Sequence, residues 1–136
     1  GNVRKILILF LILFLFACAS NESDIKEIRN EQVKSINENM DFIFATDSLT
    51  DIWHIEDHIY FGEELDIDRL FRFTDNYILD EEAFESLNGY EKGLAMKTSV
   101  MISKTLKGKY EDIELFEKDL EEYYHILENG DEFFIE

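Results

Sequence analysis

An all-α fold, a single small helical bundle of about five helices, is what this sequence predicts, and three observations carry that expectation. There is no proline among its 136 residues, where an average usage of ~5% would give roughly seven, so nothing forces a helix to stop or kink. Apolar residues recur at intervals of three and four through most of the chain after residue 24, which is the period of one helix face. Nine Phe, six Tyr and one Trp follow residue 17, with many Ile and Leu, enough for a core and too many for a chain disordered by composition. A body of this size fits one domain that needs no disulfides.

Each element has its own signal. The first periodic set is Ile25, Ile28, Val33, Ile36, Met40 and Ile43. Residues 46–51 read TDSLTD, and Ser48 with Asp51 in a capping-box-like relation predicts a helix start there. Leu49, Ile52, Trp53, Ile55, Ile59 and Tyr60 form its apolar arc, and Gly62 is its expected stop. A third helix begins near Asp66, which reads as its cap, and places Leu70, Phe71, Thr74, Tyr77 and Ile78 on one stripe.

Asp80 then caps a fourth segment, 81–107, with one apolar face at Ala83, Leu87, Tyr90, Leu94, Met101 and Thr105 and a second at Gly89, Gly93, Met96 and Val100. A helix apolar on two sides is expected at the centre of a bundle. The glycine pair would admit a close neighbour, and Asn88-Gly89 can mark a break. The last segment, 109–129, carries Ile113, Phe116, Leu120, Tyr123, Tyr124 and Leu127, with Gly130 as its cap. The tail Glu132-Phe133-Phe134-Ile135-Glu136 is too apolar for a solvated end. It is expected to fold back on the bundle, a short docking motif being the alternative.

Charge narrows the partners. Two of the thirteen basic side chains and none of the thirty-one acidic ones lie in residues 1–17, so the rest of the chain holds eleven against thirty-one, a net charge of −20. Such a surface repels phosphate backbones and anionic headgroups, which excludes nucleic acid as an expected partner. It would attract a basic protein or peptide and speed the encounter, and it keeps the domain soluble.

Cys18 is the only cysteine, so no internal disulfide can form. It closes the apolar run 6–18, ILILFLILFLFAC, which follows Arg4 and Lys5. A cationic start, an apolar stretch and the small residue Ala17 stand in the order of a secretory signal peptide. As a helix the run would span roughly 20 Å at ~1.5 Å per residue, short of the ~30 Å hydrocarbon core. The ending Leu15-Phe16-Ala17-Cys18 resembles the lipobox of bacterial lipoproteins, with Leu15 and Ala17 on the pattern and Phe16 bulkier than usual. That resemblance implies cleavage before Cys18, a diacylglyceryl group on its thiol and attachment to a membrane of the bacterial cell envelope. It divides the chain into a signal peptide at 1–17, a lipidated cysteine with a short tether at 18–24, and an acidic helical domain at 25–136. Ala19 follows the cysteine where an aspartate would resemble an inner-membrane retention signal, so in a two-membrane source the outer membrane is favoured.

Two polar features sit on the helix around Trp53. His54 and His58 are four apart and share one face, and Asp47 and Asp51 fall on the same outward stripe, so Asp47, Asp51, His54 and His58 are candidate ligands for zinc or another divalent ion. The segment 54–58, HIEDH, lacks the glutamate beside the first histidine that the zinc-protease pattern requires. Glu56, by contrast, projects into the apolar arc and must be paired or protonated there. Arg69, Arg72 and Lys97 are its expected partners.

No signature of an enzyme is present: no Gly-x-Ser-x-Gly elbow, no phosphate-cradling glycine loop and no Ser-x-x-Lys pair. Asp66-x-Asp68 does not extend into a calcium loop. The sequence therefore leads to a non-enzymatic, membrane-anchored protein-binding module, an envelope-complex subunit or an inhibitor or immunity protein for a basic partner. The alternative is a metal-binding lipoprotein. Apart from the lipid on Cys18 and that candidate metal, no cofactor is expected.

Overall fold

The computed structural model describes residues 22–34 and 36–130. Among them are six α-helices and no strand: α1 (Glu22–Lys34), α2 (Phe42–Phe61), α3 (Ile67–Thr74), α4 (Glu81–Ser86), α5 (Gly89–Leu106) and α6 (Ile113–Asn129). A π-helical turn (Asp75–Leu79) continues α3. The all-α bundle is as expected. Cys18, the lipobox and the tail at 132–136 lie outside the described residues. Among the described residues no helix is long and apolar enough to cross a membrane.

Acidic and amide side chains start the helices, because the first backbone N–H groups of a helix lack intrahelical acceptors. Asp41, Asp66, Asp80, Asn88 and Asp112 each accept such an N–H, at α2, α3, α4, α5 and α6 respectively. Asp66 and Asp80 cap as expected. At α5 the motif is reciprocal: Asn88 Oδ1 accepts from Glu91 N–H at 2.8 Å, and Glu91 Oε1 accepts from Asn88 N–H at 3.0 Å. Its other oxygen accepts the Asp41 N–H at 2.7 Å. One buried carboxylate thus ties together the starts of α2 and α5, where the helix dipoles favour negative charge.

α5 lies at the centre, packed against α2, α3, the π turn and α6. Leu94, Ala95, Met101 and Ile102 face Leu49, Ile52 and Ile55 of α2 and Phe116, Leu120 and Tyr123 of α6 within one core cluster. A buried hydroxyl network runs through it. Ser48 Oγ lies 2.9 Å from Thr98 Oγ1 and 2.7 Å from Tyr123 OH, so α2, α5 and α6 are joined where a lone hydroxyl would be costly. Tyr90 OH donates to the Leu127 carbonyl. Gly130 (φ 53°) follows α6, and a Cβ there would stand 3.1 Å from the Tyr90 ring, so glycine answers both the backbone and the space.

Four expectations about the helices need correction. The first apolar set is not one helix, because the chain leaves helical geometry after α1 and turns at residues 37–41. Asn37 Oδ1 accepts from Asn39 N–H at 2.9 Å, and Met40 N–H donates to the Asn37 carbonyl at 3.0 Å. Second, α2 starts at Asp41, four residues before Ala45 and well ahead of Ser48, whose side chain is buried in the bundle and caps nothing. Third, Leu70 and Phe73, not Phe71, enter the core from α3. The π turn that follows shifts the register by which Tyr77 and Ile78 were placed on a 3.6-residue stripe. Fourth, the segment expected at 81–107 is two helices, broken at the expected Asn88-Gly89 position, and its second face is open: Met96 and Val100 are exposed.

Candidate functional site

Three polar clusters are built into this bundle. One is sealed. Glu56, on the inner face of α2, has no exposed surface, and its Oε1 accepts the Tyr124 hydroxyl of α6 at 2.8 Å. Tyr124 in turn accepts from Trp53 Nε1–H at 3.1 Å. The basic partner is Arg29 of α1, whose Nη2 lies 3.5 Å from Glu56 Oε2 and 2.9 Å from Asp57 Oδ1. The guanidinium also lies 5.4 Å from the centroid of the Trp53 ring. The expectation that Glu56 would be buried is met, but none of Arg69, Arg72 and Lys97 reaches it. Burial pushes the Glu56 carboxyl up to about 7, against the opposing Arg29 charge and the Tyr124 hydrogen bond.

A second cluster joins α5 to α6. Asp119 Oδ1 receives Lys97 at 3.0 Å, and its Oδ2 receives Lys104 at 2.8 Å and Tyr110 OH at 2.7 Å. Burial pushes this carboxyl up, but the hydrogen bonds from Lys104, Tyr110 and Lys97 outweigh it and hold the group below the usual aspartate range. Three of the roughly four lone-pair sites of this carboxylate are filled by the protein, which marks a structural knot.

The third cluster is open. A cleft of about 280 Å³ lies between α2 and α3 and is lined by Asp47, Thr50, Asp51, Arg69, Arg72, Phe73, Asn76 and Tyr77. Asp51 is buried at its edge and pairs with Arg69, Nε to Oδ1 at 2.9 Å. Burial raises the Asp51 carboxyl to about 6, with Arg69 opposing, Asp47 adding to the rise and Arg72 lowering it. Asp47 accepts the Tyr77 hydroxyl at 2.6 Å. Burial, followed by the hydrogen bond to Asp47 and its charge, raises the Tyr77 phenol above its usual value.

The four candidate metal ligands are divided by this arrangement. Asp47 and Asp51 face the cleft. His54 and His58 instead hold the α2–α3 connection: His58 Nδ1–H donates to the Glu63 carbonyl at 2.7 Å, and His54 Nε2 accepts the Asp66 N–H at 2.8 Å. Gly62, with φ 69°, lets the chain turn between them. Burial, then the charge of Arg69, lowers the His54 imidazole below its usual value, which suits an acceptor nitrogen. Among the described residues no three His, Cys, Asp or Glu side chains gather as a metal cluster.

No protein family, curated protein or solved structure matches the chain.

Sequence reasoning found Asp47 and Asp51 and missed what faces them. Arg69 and Arg72 were placed beside Glu56, and Tyr77 was assigned to the core. Their visible signal was the spacing of the arginines, three apart on a short helix in a chain with few cations. Arg29 and the double role of Glu91 had no comparable signal, because both depend on how α1 and α5 approach α2.

Proposed function

We propose that this chain is a lipid-anchored, non-enzymatic protein-binding module of a bacterial cell envelope, tethered through Cys18 and docking a basic protein or peptide through its acidic helical domain. The anchor rests on the sequence around Cys18. Two or three acyl chains would hold it stably, since each buried methylene contributes about 0.8 kcal/mol and two chains exceed marginal binding.

The observation that carries the docking reading is where the charges go. Arg29, Arg69, Lys92, Lys97 and Lys104 are all engaged by carboxylates of the same chain. These pairs take up much of the small basic complement, so the outward field stays negative. The segment entering α3 concentrates it: Glu63, Glu64, Asp66 and Asp68 are exposed beside the exposed Ile67 and Phe71, which lie one turn apart. Apolar anchors ringed by carboxylates favour a partner with apolar and basic side chains.

The test takes the full chain from native membranes. Mass spectrometry of its N-terminus reads the anchor, and the affinity of a captured partner is measured at low and high salt. An acylated Cys18, and a basic partner whose affinity falls at least about tenfold between roughly 50 and 500 mM salt, are expected. The combined change of Glu63→Gln, Glu64→Gln and Asp68→Asn should weaken binding in the same direction. An unmodified Cys18 would overturn the anchor, and an affinity indifferent to salt would overturn the docking.

A further inference from the structure

The two walls of the α2–α3 cleft carry opposite charge. Asp47 and Asp51 stand one turn apart on α2, facing Arg69 and Arg72 of α3. Only one cross-wall pair forms, from Arg69 Nε to Asp51 Oδ1. The second pair that charge alone would favour, Arg72 with Asp47, is absent. The Tyr77 hydroxyl from the π turn occupies Asp47 Oδ2 instead.

Unspent valence is therefore left on both sides. Among the described residues no hydrogen bond reaches Asp47 Oδ1, Asp51 Oδ2, the two Nη groups of Arg69, the Arg72 guanidinium or the Asn76 amide. A lone anion entering here would meet two carboxylates, and a lone cation would meet two guanidinium groups. Only a molecule with both signs of charge is complementary to both walls.

We infer that the cleft binds a small zwitterion, an amino-acid-like molecule whose ammonium lies on Asp47 and Asp51 and whose carboxylate lies on Arg72 and the free edge of Arg69. A guanidinium fork matches a carboxylate in two parallel hydrogen bonds, which an ammonium of lysine would not provide. Phe73 and Tyr77 complete the lining, and the surface the cleft presents is mainly polar. Size sets the class: about 280 Å³ falls just below the ~300–1,000 Å³ of sites for drug-sized ligands, so the occupant is a free amino acid or a dipeptide. This site is independent of the anchor and of protein docking.

The test is calorimetric titration of the full chain in mild detergent with glycine, 4-aminobutyrate and alanyl-alanine, zwitterions of increasing charge separation. N-acetylalanine, an anion only, and alaninamide, a cation only, serve as controls. At least one zwitterion should bind about tenfold more tightly than both controls. Arg72→Gln and Asp47→Asn, neither of which removes a core residue, should each weaken that zwitterion about tenfold, with helicity and unfolding midpoint measured alongside. Equal binding of all five probes, or no saturation below about 10 mM, would overturn the inference. So would a loss in only one of the two folded variants, since a dipolar ligand needs both walls.

Discussion

Asp51 and Glu56 stand five residues apart on α2, both buried and both held by one arginine, yet their surroundings differ in kind. Glu56 is closed in by α1 and α6, with Tyr124 and Arg29 spent on it. Asp51 shares one oxygen with Arg69 at the edge of a cleft where Asp47 Oδ1, the Arg72 guanidinium and the Asn76 amide have no hydrogen-bond partner among the described residues. Burial and a raised pKa therefore do not distinguish a site from a strut. What distinguishes them is whether the protein itself fills the remaining valence.

The comparison can be broken most forcefully at the sealed end. Glu56→Ala strands the Tyr124 hydroxyl and half of the Arg29 clamp and leaves a cavity, so urea unfolding should show a loss of about 3 kcal/mol. Acidity comes next. The stability linked to Glu56 is complete below its ordinary value of 4.5 and is lost as pH rises through about 7, because the folded chain holds that proton more tightly than the unfolded one. Asp51 acts in the same sense between 3.8 and about 6.

Stability should therefore fall, on the order of 3 kcal/mol, as pH rises from about 4.5 to 8, and Glu56→Gln should flatten most of that slope in thermal melts. Asp119 has the opposite sign. Its carboxyl is held below the ordinary 3.8, so the stability it contributes is lost only as pH falls through that lower value.

At the open end the effects shrink. Arg69→Gln removes the ion-pair partner of Asp51 and should cost about 1–2 kcal/mol in urea unfolding, with a steeper dependence on pH between about 5 and 7. Arg72→Gln should change stability by no more than about 0.5 kcal/mol, because its guanidinium makes no internal hydrogen bond among the described residues. If Arg72→Gln destabilised as much as Glu56→Ala, the cleft would be a strut like the other two clusters.

Much of the fold was legible because it depends on local chemistry. The caps at Asp66 and Asp80, the stop at Gly62 and the break at Asn88-Gly89 are decided within a few residues. The start of α2 was misread since the periodicity of Met40 and Ile43 continued across a turn that Asn37, Asn39 and Asp41 encode. Tyr77 and Ile78 were placed on a stripe whose phase a π turn changes after Thr74, and no single residue announces that turn.

The site was half legible for the same reason. The stripe Asp47, Asp51, His54 and His58 is real as a helical face, but which neighbour each side chain meets is set by the path of 62–66 and by α3. That path gives the two histidines to the loop and the two aspartates to the cleft. Glu56 was recognisable as buried from its place in an apolar arc, whereas its partner, 27 residues away in α1, was not.

The most direct test of the contrast between the sealed and the open carboxylate is a carbon-detected NMR pH titration of both side chains in the full chain and in Arg72→Gln. Glu56 should titrate near 7 in both proteins. Asp51 should titrate near 6 in the parent chain and higher in the variant, since Arg72 helps to hold it down. If both carboxyls titrated at ordinary values, or if Arg72→Gln moved the two equally, the distinction on which this account rests would be wrong.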